Sequence, residues 1–99
     1  EDHLGDYSAI GFNTLIMDND SHGVSPSEPC KSAPVHIGKH VWVCSNVIIL
    51  KGTTIGDGCL VAAGSIVTTS FPKHTMIAGC PAKAVGKSPL SSSWTWTMV

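Results

Sequence analysis

The residues of this chain best suited to chemistry stand together in Asp18-Asn19-Asp20-Ser21-His22-Gly23. An imidazole between carboxylates can move a proton near neutral pH, because its unperturbed pKa lies close to that range. The same three side chains, Asp18, Asp20 and His22, could instead hold a hard cation through carboxylate oxygens. They could also be solvated loop groups, with an aspartate closing an Asx-turn. Residue type leaves these readings open, so the elements that position the stretch must choose among them.

Those elements are announced by a ladder. Ile37, Val43, Ile49, Ile55, Val61 and Val67 recur at an interval of six, and Val41, Val47, Thr53, Cys59 and Ser65 stand two residues before the later five. A helix would carry every other ladder residue off its apolar face. A strand keeps them on one side, but Gly52, Gly56, Gly58 and Gly64 forbid one unbroken strand. The pattern therefore predicts very short strands separated by regular bends, three to a coil of eighteen residues. Stacked coils then bury the ladder inside a triangular prism. Leu4, Ile10 and Ile16 fit an earlier coil. An ordinary sandwich of short strands would not space its turns so evenly.

Between Ile16 and Ile37 the interval is twenty-one residues, and this break contains His22 together with Ser25-Pro26-Ser27-Glu28-Pro29. Polar, proline-containing stretches of this kind are loops thrown out of a scaffold, where function commonly sits. Residues 1–87 are thus expected to form one prism with a loop extruded at about 18–34, and residues 88–99 a tail. Counting outward from the ladder puts Trp42 over Leu60 on one face and Ile48 over Ile66 on another. Thr54 and His36 share the third. Two apolar faces on a small domain predict self-association. Return of the tail through Trp94 and Trp96 could also cover one strip. The Trp/Thr alternation from Trp94 to Thr97 reads as a short strand.

Ninety-nine residues suffice for one modest core, and a net charge of −1 with 13% charged residues gives no basis for nucleic-acid binding. No apolar run approaches the roughly 18 residues of a membrane span, and no stretch reads as a signal peptide. Cys30, Cys44, Cys59 and Cys80 form no CxxC pair, which argues against a disulfide framework or a zinc knuckle. Cys59 falls on an inward position and reads as a small core residue. A reducing, cytoplasmic setting is expected.

The ladder, closed by Ile77-Ala78-Gly79-Cys80-Pro81-Ala82-Lys83, resembles the hexapeptide-repeat family, an all-β fold of left-handed parallel β-helices. The left hand is what the resemblance implies, since the crossover rule alone would favour the right. Within that family the chain looks most like sugar and polysaccharide O-acetyltransferases of the maltose and galactoside type. Their acidic-x-acidic-x-His-Gly stretch precedes a loop that returns at a proline, as Pro34-Val35-His36-Ile37-Gly38 does here. The resemblance implies that His22 is the base for an acceptor hydroxyl attacking acetyl-CoA, with Asp18 or Asp20 orienting the ring. It implies direct transfer in a ternary complex, homotrimers with sites between prisms, a small hydroxyl acceptor such as a sugar, and no metal.

By the same resemblance, Trp42 and Ser45 line the acyl-donor cleft, with Ser45 able to meet the developing oxyanion. Ala63 and Thr68 lie in the stretch that faces the pantetheine arm, and Lys83 and Lys87 would meet phosphates as flexible point charges. The structural alternatives are interface packing for Trp42 and solvated charges for the lysines. Cys44 stands where relatives carry Gly, Thr69 or Ser70 where they carry a charge, and Lys83 where Arg is common. Two other classes remain: a non-catalytic trimeric scaffold, and the γ-class carbonic anhydrases of the same fold. The second needs histidines where this chain has Ser45 and Leu50.

Overall fold

The computed structural model describes residues 2–18 and 32–95. Nine two-residue strands run through three coils. The first holds β1 (His3–Leu4), β2 (Ala9–Ile10) and β3 (Leu15–Ile16), and the second β4 (His36–Ile37), β5 (Trp42–Val43) and β6 (Ile48–Ile49). The third holds β7 (Thr54–Ile55), β8 (Leu60–Val61) and β9 (Ile66–Val67). A closing hairpin follows, β10 (Thr75–Gly79) and β11 (Ala82–Lys87). Strands stack in parallel into three sheets, β1-β4-β7, β11-β10-β8-β5-β2 and β3-β6-β9, with only the β10–β11 pair antiparallel. This is the triangular β-helix that the ladder predicts.

The strands are short because each is followed by a corner that bends the chain. Three residues past Leu4, Ile10, Ile37, Val43, Ile49, Ile55 and Val61 the backbone turns left-handed, at Tyr7, Asn13, His40, Asn46, Gly52, Gly58 and Gly64, with φ between 54° and 77°. Glycine enters that region without a Cβ penalty and Asn tolerates it. Tyr7 and His40 suit it less, and their rings stack on one another at 5.0 Å and 10°. Just after the ladder, small residues are required for a different reason. A Cβ on Gly38 would run into the backbone and carboxylate of Asp57, and one on Gly56 into the backbone of Lys73, because successive coils touch there.

Ile37, Val43, Ile49, Ile55, Val61, Val67 and Ile77 are fully buried, and Val35, Val41, Val47 and Cys59 fill the positions between them. Each such side chain contributes about 1.5–3 kcal/mol by leaving water. Cys59 is the core thiol expected, and its Sγ–H donates to the Pro72 carbonyl at 3.1 Å. At two inward positions of the first coil the hydroxyl bonds across coils: Ser8 Oγ donates to the Gly38 carbonyl and accepts from the Val41 N–H, and Thr14 Oγ1 donates to the Cys44 carbonyl.

Register places His36 on Thr54, Trp42 on Leu60 and Ile48 on Ile66, each eighteen residues apart. Two departures shape the molecule. Ile10 pairs with Val43, thirty-three residues on, because the break intervenes between the first two coils. Ile77 pairs with Val61 only sixteen residues on, and Phe71 bridges Ile55, so the final coil is two residues short.

The expected exposure of two apolar faces needs correction on one. Trp42 is exposed and Ile48 and Ile66 are half-buried, but Leu60 is buried. Leu60 sits between Trp42 and Met76 in register, on the face to which residues 88–95 return. The tail is not a strand over residues 91–95: it turns, with Trp94 N–H donating to the Ser91 carbonyl at 3.1 Å. Trp96 and the residues after it lie outside the described part. Among the described residues no helix is long and apolar enough to cross a membrane.

Candidate active site

The corner between the β5 and β6 faces collects three of the expected donor-site residues. Trp42 projects outward from β5, and the next bend carries Ser45, whose column continues through Ala63 in the following coil. The Gly64 N–H donates to the Ser45 carbonyl at 3.1 Å and so ties the two bends together. Ser45 Oγ accepts the N–H of Phe12 at 3.1 Å, and the Phe12 carbonyl accepts the Asn46 N–H at 2.9 Å. The Ser45 hydroxyl proton has no acceptor among the described residues, so it can be given to a ligand. Ala63 is exposed beside Gly64. Burial pushes the Cys44 pKa up, with the Ala63 backbone acting the other way and less strongly.

A cavity of about 600 Å³ opens at this corner between Phe12, Trp42, Ser45 and Thr95, floored by Ile10 and Gly11. Its walls are aromatic, aliphatic or hydroxyl-bearing and carry no charge, which suits an uncharged, amide-rich or apolar arm. Phe12 and Thr95 were not among the expected site residues. Phe12 occupies the same corner column as Ser45, thirty-three residues earlier, and carrying the register across the inserted loop would have found it. Thr95 belongs to the tail and has no register to betray it.

The remaining expected residues lie elsewhere. Thr68 is exposed at the next corner, just after β9. Asp18 is on that corner too, two coils away, half-buried beside a small cavity of about 120 Å³ shared with Ser32, Ala33 and Pro34. Lys83 and Lys87 are exposed on β11, the outermost strand of the sheet that contains Trp42, opposite Ala78 and Thr75. Asp20 and His22 lie outside the described residues, as does Cys30. One prism therefore brings Trp42, Ser45 and Ala63 together and leaves Thr68 and Asp18 across the β3-β6-β9 face. Among the described residues no group of three or more His, Cys, Asp or Glu is placed to hold a metal ion.

Residues 34–69 match the family model described as bacterial transferase hexapeptide (six repeats). The chain is 49% identical over 96 residues to WbbJ of Escherichia coli (strain K12), named as a candidate O-acetyl transferase of lipopolysaccharide biosynthesis; the match covers 85% of this chain and 49% of WbbJ. It is 37% identical over 92 residues to galactoside O-acetyltransferase of the same organism, covering 83% of this chain and 45% of the enzyme. A hexapeptide-repeat-containing acetyltransferase of Vibrio cholerae O1 biovar eltor, solved with acetyl coenzyme A, superposes with a TM-score of 0.81 at 30% identity, over 88% of this chain and 49% of the other. The chain thus spans half or less of the length of these relatives. Repeat, coil geometry and relatives agree: the chain is a left-handed parallel β-helix of the hexapeptide-repeat family.

Proposed function

We propose that this chain is the repeat region of an acetyl-CoA-dependent O-acyltransferase that acetylates a hydroxyl of a sugar or similar small acceptor. The observation that carries the reading is the corner at which Trp42 and Ser45 line an uncharged cavity, with Ala63 one coil beyond Ser45 in the same bend. It has the shape and chemistry to hold the thioester arm of a donor, and relatives with this fold are named acetyltransferases. Ser45, with a free hydroxyl proton, is the group suited to stabilise the oxyanion formed on attack. His22 acts as general base, taking the acceptor proton as the oxygen attacks the thioester carbonyl, and Asp18 or Asp20 holds the ring. Transfer is direct, so coenzyme A leaves as the free thiol and the enzyme forms no acyl intermediate. Lys83 and Lys87 meet donor phosphates, and Thr68 the pantetheine arm.

The separation of Asp18 and Thr68 from the Trp42 corner supports an assembly in which one prism's corner faces another's, and a homotrimer places three such clefts symmetrically. The half-exposed apolar pair Ile48 and Ile66 on the β3-β6-β9 face supports the same assembly.

The test is a thiol-release assay with acetyl-CoA against a panel of sugars, run beside light scattering for oligomeric state. Acceptor-dependent coenzyme A release from a trimer supports the reading. Calorimetry showing no coenzyme A binding would sink it and leave a scaffold protein.

A further inference from the structure

The segment after β11 has contacts that a disordered extension would not make. The Ser88 N–H donates to the His74 carbonyl at 2.9 Å. Farther along, His40 Nδ1 meets the Trp94 carbonyl. A carbonyl can only accept, so Nδ1 carries the proton of that imidazole. The Trp94 ring then lies on the ring of Trp42, with centroids 5.7 Å apart and planes within 13°. One residue on, Thr95 borders the cavity that Trp42 and Ser45 also line.

We propose that Trp94 is a positioning residue for the donor cavity, fixing the plane of Trp42, and that Thr95 forms the cavity's outer wall. The segment 88–95 thereby helps to set how tightly the acyl donor is held. This rests on reading the cavity as the donor site. Trp42 stands outward on a two-residue strand and is 38% exposed even with Trp94 against it, so no core packing locks its side chain. Stacking on a second indole supplies that lock, because offset aromatic faces attract in a preferred geometry. A donor binding to an already oriented ring avoids the entropy of immobilising it, worth roughly two- to tenfold in affinity per side chain. The tail itself is anchored through backbone groups, the Trp94 carbonyl and the Ser88 N–H, so removing the Trp94 ring leaves both anchors in place.

Calorimetry with coenzyme A on the wild type, Trp94→Ala, Trp94→Phe and Thr95→Arg tests this, with circular dichroism to follow the paired indoles. The expected result is binding weakened roughly two- to tenfold in Trp94→Ala, and restored in Trp94→Phe, which keeps a stacking face. In turnover the donor KM should rise while kcat stays near the wild-type value, and Trp94→Ala should lose the circular dichroism of the stacked pair. Equal coenzyme A affinity in wild type and Trp94→Ala overturns this proposal and leaves the donor-site reading intact. No binding by the wild type overturns both. If Trp94→Ala shows no cooperative melting, Thr95→Arg decides, because it narrows the cavity without touching the indole pair: weakened binding supports the proposal and unchanged binding overturns it.

Discussion

The N–H of Ala33 donates to the carbonyl of Asp18 across 2.8 Å, closing the break in the ladder on itself. The carbonyl of Ala33 in turn accepts the N–H of Gly52 from the next coil. The chain therefore leaves and re-enters the prism at one corner, and the insertion costs the coil stack no register beyond its own length. A long insertion is thermodynamically tolerable when its ends are already held together.

His22 lies between Asp18 and Ala33 in the sequence, and its substitution gives the most direct prediction. His22→Ala should lower acceptor-dependent thiol release by roughly 100-fold or more, the range of a general base, while coenzyme A affinity stays unchanged. Equal turnover in the variant would remove His22 from the mechanism.

Corner geometry predicts a contrast at Asn46, whose φ is +61°. Asn46→Val should destabilise the fold by about 1–2 kcal/mol, since a β-branched residue resists that region, whereas Asn46→Gly should be nearly neutral. Denaturant titration of both variants reads the difference directly, and equal midpoints would contradict the strained-corner account.

Thr53 makes a prediction of the opposite sign. Its hydroxyl is buried in the core and Oγ1 has no hydrogen-bond partner. An unpartnered buried hydroxyl carries a desolvation penalty of about 1–3 kcal/mol. Thr53→Val keeps the shape and removes the penalty, so it should raise the melting temperature. A clear fall would mean that the hydroxyl is satisfied in solution.

The thiols should separate by reactivity. Cys80 is exposed, Cys44 is half-buried with its pKa raised by burial, and Cys59 is buried, with burial the main cause of its raised pKa. Among these three, iodoacetamide should modify Cys80 first and Cys59 last, as mass spectrometry of timed digests would report, because only the thiolate reacts. The same shift gives a pH dependence. The folded state holds the Cys59 proton more tightly than the unfolded chain, so this contribution to stability is whole below the unfolded thiol pKa. It is lost as pH rises from there through the higher folded value. Cys59→Ala should flatten that alkaline loss.

Core substitution supplies the last prediction. Ile55→Ala removes a fully buried ladder side chain between two neighbouring coils and should cost about 2–5 kcal/mol, measured by chemical denaturation. A smaller loss than Ile→Val usually causes would show that the coil stack collapses into the space.

The six-residue period from Ile37 to Val67 was enough, by itself, to determine the β-helix, its inward columns and the position of its one long break. Side-chain direction in a strand depends only on parity, and the repeated bends keep that parity in phase from coil to coil. The same count placed Trp42 over Leu60 and Ile48 over Ile66, and structure agrees pair for pair. What counting could not reach were relationships that cross a change of register or leave the repeat. Phe12 joins Ser45 only after the inserted loop is skipped, and Ile77 meets Val61 only because the last coil is two residues short. Trp42 is paired because the tail returns to it, through contacts between residues more than fifty positions apart. No local periodicity encodes such a contact. Tertiary packing alone decided it, because the tail must satisfy its backbone groups and cover apolar surface wherever the finished prism offers both.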